Sequence, residues 1–127
     1  MSRSVLDASA VLAILFQERG CENLTDDILD TAVISAVNLA EAQTKLVRMG
    51  HDPDDAWNDA SSIAPAEDFT PDQARTAGTL ARATQTLGLS LGDRSCLALA
   101  MEMNAEVYTT EKLWKNLKLG IPIHVIR

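Results

Sequence analysis

Apolar residues in this chain fall into two kinds of stretch: very short runs, and longer segments in which they recur every three or four positions. Ser4-Val5-Leu6 is a short strand candidate that stops at Asp7, and Ala10 to Phe16 continues with helical character. A second short run, AVIS at 32–35, reads as a strand and leads into a helix from Val37 to Met49 closed by Gly50. Asp54 to Ile63 reads as another helix, with Pro65 beyond its end. In FTPDQ, Thr70 takes the N-cap, Pro71 the first helical position and Gln73 the capping-box position. Ala74, Ala77, Leu80, Ala81 and Leu87 then keep helical spacing as far as Gly88. Arg94 to Met103 is apolar on nearly every side and predicts a buried helix. Glu106 to Thr109 predicts a strand, Glu111 to Leu119 a short helix and Ile121 to Ile126 a last strand.

Short strands alternating with helices predict an α/β fold with a parallel sheet and right-handed crossovers. No repeat, linker or low-complexity stretch divides the 127 residues, so one domain over 1–127 is expected. In such sheets ligands sit beyond the carboxyl ends of the strands. Asp7 follows a strand and precedes a helix, as does Glu111. Asp93 follows the extended-looking Leu89-Ser90-Leu91 and is expected to N-cap the buried helix. A parallel sheet carries all three carboxylates to one edge.

Two readings of these acids stand. Helix N-termini favour such residues through capping and the macrodipole, each contributing ~0.3–2 kcal/mol. Asp7 and Ser9 compete for one cap, and Thr109 or Thr110 suits the helix that Glu111 begins. The other reading is a metal site. Bunched carboxylates raise one another's pKa unless a cation neutralises them, and Mg²⁺ or Mn²⁺ prefers oxygen ligands. Glu41 stands apart from both. On a helical wheel it lies away from the stripe of Ala36, Leu39, Gln43, Leu46 and Val47, and it forms an i,i+4 pair with Lys45 in the favoured order. Spacing by itself assigns it to a solvated salt bridge.

Composition narrows the classes without choosing one. Hydrophobic residues make up 46% of the chain, enough for a real core. Eleven basic against 18 acidic residues give a charge of −7, which argues against coating nucleic acid with positive charge. A carboxylate-based nuclease remains compatible with that sum. Aromatics at 4% leave little for a base-stacking platform. Cys21 and Cys96 form no zinc-type cluster and read as reduced thiols. The apolar stretch Ala8 to Phe16 is too short for a membrane span or secretory signal, so a soluble cytoplasmic protein is expected.

Four segments carry a resemblance. SVLDASAVLAIL, ISAVNLAEAQTKL, LGLSLGDRSCLALAM and VYTTEKLW, in that order, resemble the acidic motifs of PIN-domain ribonucleases, above all the toxins of VapBC-type toxin–antitoxin pairs. The resemblance implies a three-layer α/β/α domain and hydrolysis of RNA phosphodiester bonds dependent on Mg²⁺ or Mn²⁺. It makes Asp7, Glu41 and Asp93 the metal ligands and Glu111 a fourth catalytic acid, with Ser9, Asn38 and Thr109 as supporting polar groups. Glu111 departs from the family pattern, in which Asp usually stands at that place. The resemblance also implies a small VapB-type antitoxin, homodimers and a higher toxin–antitoxin assembly. Ile28, Leu29, Trp57 and Ile63 are candidate contacts or equally core. Arg94, Lys112, Lys115 and Lys118 are candidate RNA contacts, with a solvated helix face as the alternative. His51 and His124 read as structural.

Three other functions are weighed against the toxin. A housekeeping RNA-processing nuclease would use the same motifs. A phosphotransferase with Asp7 as nucleophile expects a second aspartate two positions on, where Ser9 stands. A non-catalytic binding module would use the acids only as caps.

Overall fold

The computed structural model describes residues 2–127. Five strands form one wholly parallel sheet: β1 (Ser4–Leu6), β2 (Ala32–Ser35), β3 (Ala66–Glu67), β4 (Glu106–Thr109) and β5 (Ile123–Val125), in the order β3-β2-β1-β4-β5. Val5 pairs in register with Val33 and Val107, and Leu6 with Ile34 and Tyr108. Because side chains alternate across a strand, this register sorts the core into two layers. Leu6 and Ile34 pack with α1 (Ala8–Leu15), α3 (Ala36–Arg48) and α4 (Pro53–Ser61). Val5, Val33 and Val107 pack with α6 (Leu91–Met103), Leu80 and Trp114 on the opposite face. The result is the expected α/β/α arrangement. The central strands are buried on both faces, which is why they read as unbroken apolar runs.

The carboxyl ends of β1 and β2 turn directly into helices. Asp7 is the N-cap of α1 and its side chain accepts from Ala10 N, while Ser35 caps α3. Asp7 therefore wins the cap, and Ser9 donates to it instead. At α6 the expectation is corrected. Ser90 is the N-cap and Asp93 is the third helical residue, the two joined in a capping box. The helix begins at Leu91 because the reciprocal pair of bonds satisfies donors that an Asp93 cap would leave open.

Other departures are local. The helix expected to run to Leu87 ends at Thr79 as α5 (Pro71–Thr79), and the chain reaches Gly88 through turns and a 3₁₀ segment at Gln85–Leu87. The Thr79 and Thr84 hydroxyls donate back to carbonyls four residues earlier, an interaction that weakens helices. The predicted helix at Glu111–Leu119 is a 3₁₀ turn, Lys112–Asn116, anchored by buried Trp114. The short helix α2 (Asp26–Asp30) and the two-residue β3 carry too few residues for a periodic signal. On α3 the buried stripe is Asn38, Leu39, Ala42 and Leu46, and Val47 is exposed. No helix among the described residues is long and apolar enough to cross a membrane.

Candidate metal centre

Asp7, Glu41, Asp93 and Glu111 all line one cleft of about 220 Å³, together with Ser9, Asn38 and Lys45. It lies at the carboxyl end of the sheet. Asp7 leaves β1, Glu41 stands on the second turn of α3, Asp93 opens α6, and Glu111 follows β4. The parallel strands bring Asp7, Glu111 and the start of α3 to this edge, and the packing of α6 against α3 adds Asp93. Among the described residues, no three acidic, histidine or cysteine side chains close on a single point tightly enough to grip an ion. The acids share a cleft wall, and a bound ion would have to draw them together.

Asp7 is the most constrained. Its Oδ1 accepts from Ser9 Oγ at 2.7 Å and Ala10 N at 2.9 Å, and its Oδ2 from Thr109 Oγ1 at 2.6 Å. The two hydroxyls are themselves fixed: Ser9 Oγ accepts from Thr110 N and Thr109 Oγ1 from Glu111 N. Asp7 is only 4% exposed, and burial pushes its carboxyl up from 3.8 to about 6. The three hydrogen bonds pull the other way, and the neighbouring charge of Asp93 adds to the rise. Burial wins. Nearby Cys96 is raised well above its usual value, first by burial and then by the charges of Asp7, Asp93 and Glu41. Those three carboxylates therefore act on one buried point.

Glu41 is held differently. Its Oε1 accepts from Asn38 Nδ2 at 2.7 Å, and the same amide donates to Gly92 O at 2.9 Å. Asn38 is buried, with Oδ1 left without a partner. Its amide bridges α3 to the residue immediately before Asp93. Gly92 completes the clasp. A Cβ added there would collide with both oxygens of Glu41. Lys45 makes no ion pair with Glu41, so the i,i+4 reading gives way to the Asn38 contact. Asp93 is half-buried, and one of its oxygens, Oδ2, accepts from Ser90 N at 2.9 Å. Glu111 is exposed.

The donor set suits a hard divalent ion: four carboxylates, no imidazole and no thiolate on the cleft wall. A buried carboxyl held up to about 6 by burial and a like charge is a group that a cation would ionise.

The candidate RNA contacts divide. Arg94 Nη1 donates to Ala77 O, 2.9 Å away on α5, and neither it nor Lys112 nor Lys115 lines the cleft. Lys45 does, and its spacing with Glu41 had disguised it. Gly92 was also invisible in sequence, since nothing local marks a glycine as making room for a carboxylate 51 positions away. His124 stacks on Tyr108 at 4.7 Å and contacts Glu106 at 2.9 Å, and it does not line the cleft. Of the apolar contact candidates, Trp57 is exposed, while Ile28, Leu29 and Ile63 pack against the core.

Solved structures share this architecture. VapBC2 from Rickettsia felis, bound to a promoter DNA fragment, matches with a TM-score of 0.73 at 17% identity over 95% of this chain and 96% of that one. The Mycobacterium tuberculosis VapC20, a sarcin-ricin loop cleaving toxin, matches at 0.73 and 15% over 93% and 98%. DNA-bound VapBC from Salmonella typhimurium matches at 0.73 and 16% over 98% of both chains. No curated protein sequence matches closely enough to count as a relative. The PIN domain family model matches residues 4–118, nearly the whole of the sheet and all four acids, and the chain belongs to that family.

Proposed function

We propose that this protein is a divalent-ion-dependent endoribonuclease of the toxin type, a single cytoplasmic PIN-like domain kept in check by a small antitoxin. One observation carries the reading. Four acidic side chains from four separate stretches line one cleft at the carboxyl ends of a parallel sheet, in a chain of the PIN domain family. The VapC toxin named for cleaving the sarcin-ricin loop and the VapBC complexes share this fold, which supports the class of substrate and partner.

In this reading Asp7, Glu41 and Asp93 would hold Mg²⁺ or Mn²⁺, with Glu111 on the same cleft wall as an outer acid. When bound, the ion supplies a water of lowered pKa and offsets charge on the phosphate under in-line attack. The chain's own residues prepare that site. Ser9 and Thr109 fix both oxygens of Asp7, so its ligand geometry is set before any ion arrives. Asn38 does the same for one oxygen of Glu41 and leaves the other open. Homodimers through the α4 face, where Trp57 is exposed, and a larger assembly with the antitoxin belong to the same proposal.

The test is cleavage of RNA with Mg²⁺ or Mn²⁺ by the wild type against Asp7→Asn and Asp93→Asn. Both variants are expected to lose cleavage, and undiminished cleavage by both sinks the assignment. A short upstream reading frame for a DNA-binding protein argues for the toxin role over housekeeping RNA processing. The capping bonds of Asp7 and Asp93 support a second reading, a non-catalytic binding module in which these acids serve the helices. Calorimetric titration separates the two, since no divalent binding at millimolar concentration favours the module.

A further inference from the structure

Among the described residues Lys45 is the one basic residue on the wall of the acidic cleft, and beside it a second, larger depression opens. This groove of about 840 Å³ follows the outer face of α3, and Glu41 and Lys45 belong to both. Val37, Ala40 and Met49 supply its apolar lining, while Lys45 and Arg48 stand along it. Both cations are exposed, and neither pairs with a carboxylate within 4.0 Å among the described residues. The partner that spacing assigns to Lys45 is held by Asn38 instead. Two unneutralised cations three residues apart, on one helix face, thus border the mouth of a four-carboxylate cleft in a chain of charge −7.

Carboxylates repel a polyanion until cations intervene, so the rim of such a cleft is where a phosphate chain needs positive charge. We propose that the outer face of α3 is the track along which single-stranded RNA runs from the cleft, with Lys45 and Arg48 binding the phosphates beside the scissile one. The proposal rests on the ribonuclease reading above. Phosphate contacts fix register without reading sequence, so Lys45 and Arg48 set which phosphate meets the acids. The apolar lining accepts ribose and base faces of any sequence.

The full-length Asp93→Asn chain, silenced for cleavage, provides the binding test. Its affinity for a labelled mixed-sequence single-stranded RNA is followed by fluorescence anisotropy across a salt series, with and without Lys45→Gln plus Arg48→Gln. The double change is expected to weaken binding about 4–25-fold, taking roughly 2–5-fold per exposed charge pair. The slope of log K against log salt should become shallower by about 1.4, near 0.7 for each single-strand phosphate that is no longer neutralised. Lys45→Arg plus Arg48→Lys should restore most of both. In the cleaving background the loss should fall on KM.

Arg75→Gln plus Arg82→Gln removes the same charge from exposed sites outside the groove and is expected to change neither constant. An unchanged salt slope in the Lys45/Arg48 variant overturns the track, as does an equal loss in the Arg75/Arg82 control. A variant that loses a protein partner while its RNA constants stay fixed also overturns it, making the face a protein-docking surface. A wild type that binds RNA but does not cleave it removes the nuclease reading while the slope still decides the track. A wild type that binds no RNA removes both.

Discussion

On the strand side of the cleft, Asp7 is buried and three donors occupy its two oxygens; on the helix side, Glu41 is exposed and one amide holds it. The strand side is rigid by construction. Ser9 and Thr109 are each tied both to Asp7 and to a backbone N–H beyond β4, so moving the carboxylate means breaking the junction of two strands with their following loops. That order has an electrostatic cost. Raising a carboxyl from 3.8 to about 6 corresponds to about 3 kcal/mol against the ionised form. The helix side avoids this cost because Glu41 stays in solvent. It depends instead on the Asn38 amide and on the absence of a side chain at Gly92. One half of the site is preorganised at the expense of stability, and the other is inexpensive and adjustable.

The largest expected effect breaks the strand side. Asp7→Asn should lower metal-dependent cleavage on the order of 10³-fold or more, the scale of removing a preorganised electrostatic group, while making the metal-free fold more stable at neutral pH. The sign follows from linkage. The folded carboxyl binds its proton more tightly than the unfolded one, so its burden is absent below pH 4 and complete above pH 6. The wild type in chelator should therefore lose about 3 kcal/mol from this group between those limits. The Asn variant should lose nothing from position 7. Urea unfolding of both proteins at pH 4 and pH 7 measures the difference, and parallel pH dependence would remove the cost assigned to Asp7.

A smaller effect sharpens the helix side. Gly92→Ala inserts a methyl into the Glu41 carboxylate and should weaken Mn²⁺ binding about 10–100-fold, as removing the groups that orient a metal ligand does. Stability should hold, because Glu41 is exposed and free to turn away, and alanine favours a helix over glycine by ~1 kcal/mol. Calorimetry with Mn²⁺ beside a thermal melt reads both quantities. Wild-type affinity in this variant would show that the clasp does not govern the ion. The smallest effect falls on Glu111, exposed and without a side-chain acceptor role at the helical turn it precedes. Glu111→Gln should reduce the cleavage rate only about 2–10-fold, by weakening an outer contact of ~0.5–1.5 kcal/mol. A loss as deep as that of Asp93→Asn would make it a direct ligand.

Much of this arrangement was legible in the residues. The strands at Ser4–Leu6 and Ala32–Ser35 announce themselves as short apolar runs because they are buried on both faces, and Glu106–Thr109 by alternation, since only Val107 and Thr109 are buried. The start of α5 was plain from Thr70, Pro71 and Gln73, and the Thr70 hydroxyl does accept from Gln73 N. The end of α5 was not, since the apolar spacing continues unbroken through the turns that follow Thr79. Asp93 shows the same limit. Its residue type suits both an N-cap and a capping-box acid, and only the bonds to Ser90 choose between them.

The chain by itself left Glu41 to a salt bridge but pointed Asp7, Asp93 and Glu111 to one sheet edge, because parallel strands followed by helices leave their carboxyl ends on one side. Local chemistry and order along the chain suffice for that. Tertiary structure decided how each acid is held. The raised pKa of Asp7 comes from its burial in the closed fold, against which the hydrogen bond from Thr109, 102 residues away, pulls. The position of Glu41 comes from the Asn38 amide and from a glycine on another helix, and Lys45 lines the cleft without pairing to it. These are contacts across the fold between residues whose spacing in sequence carries no signal, and they exist only once the sheet has closed and α3 and α6 have met.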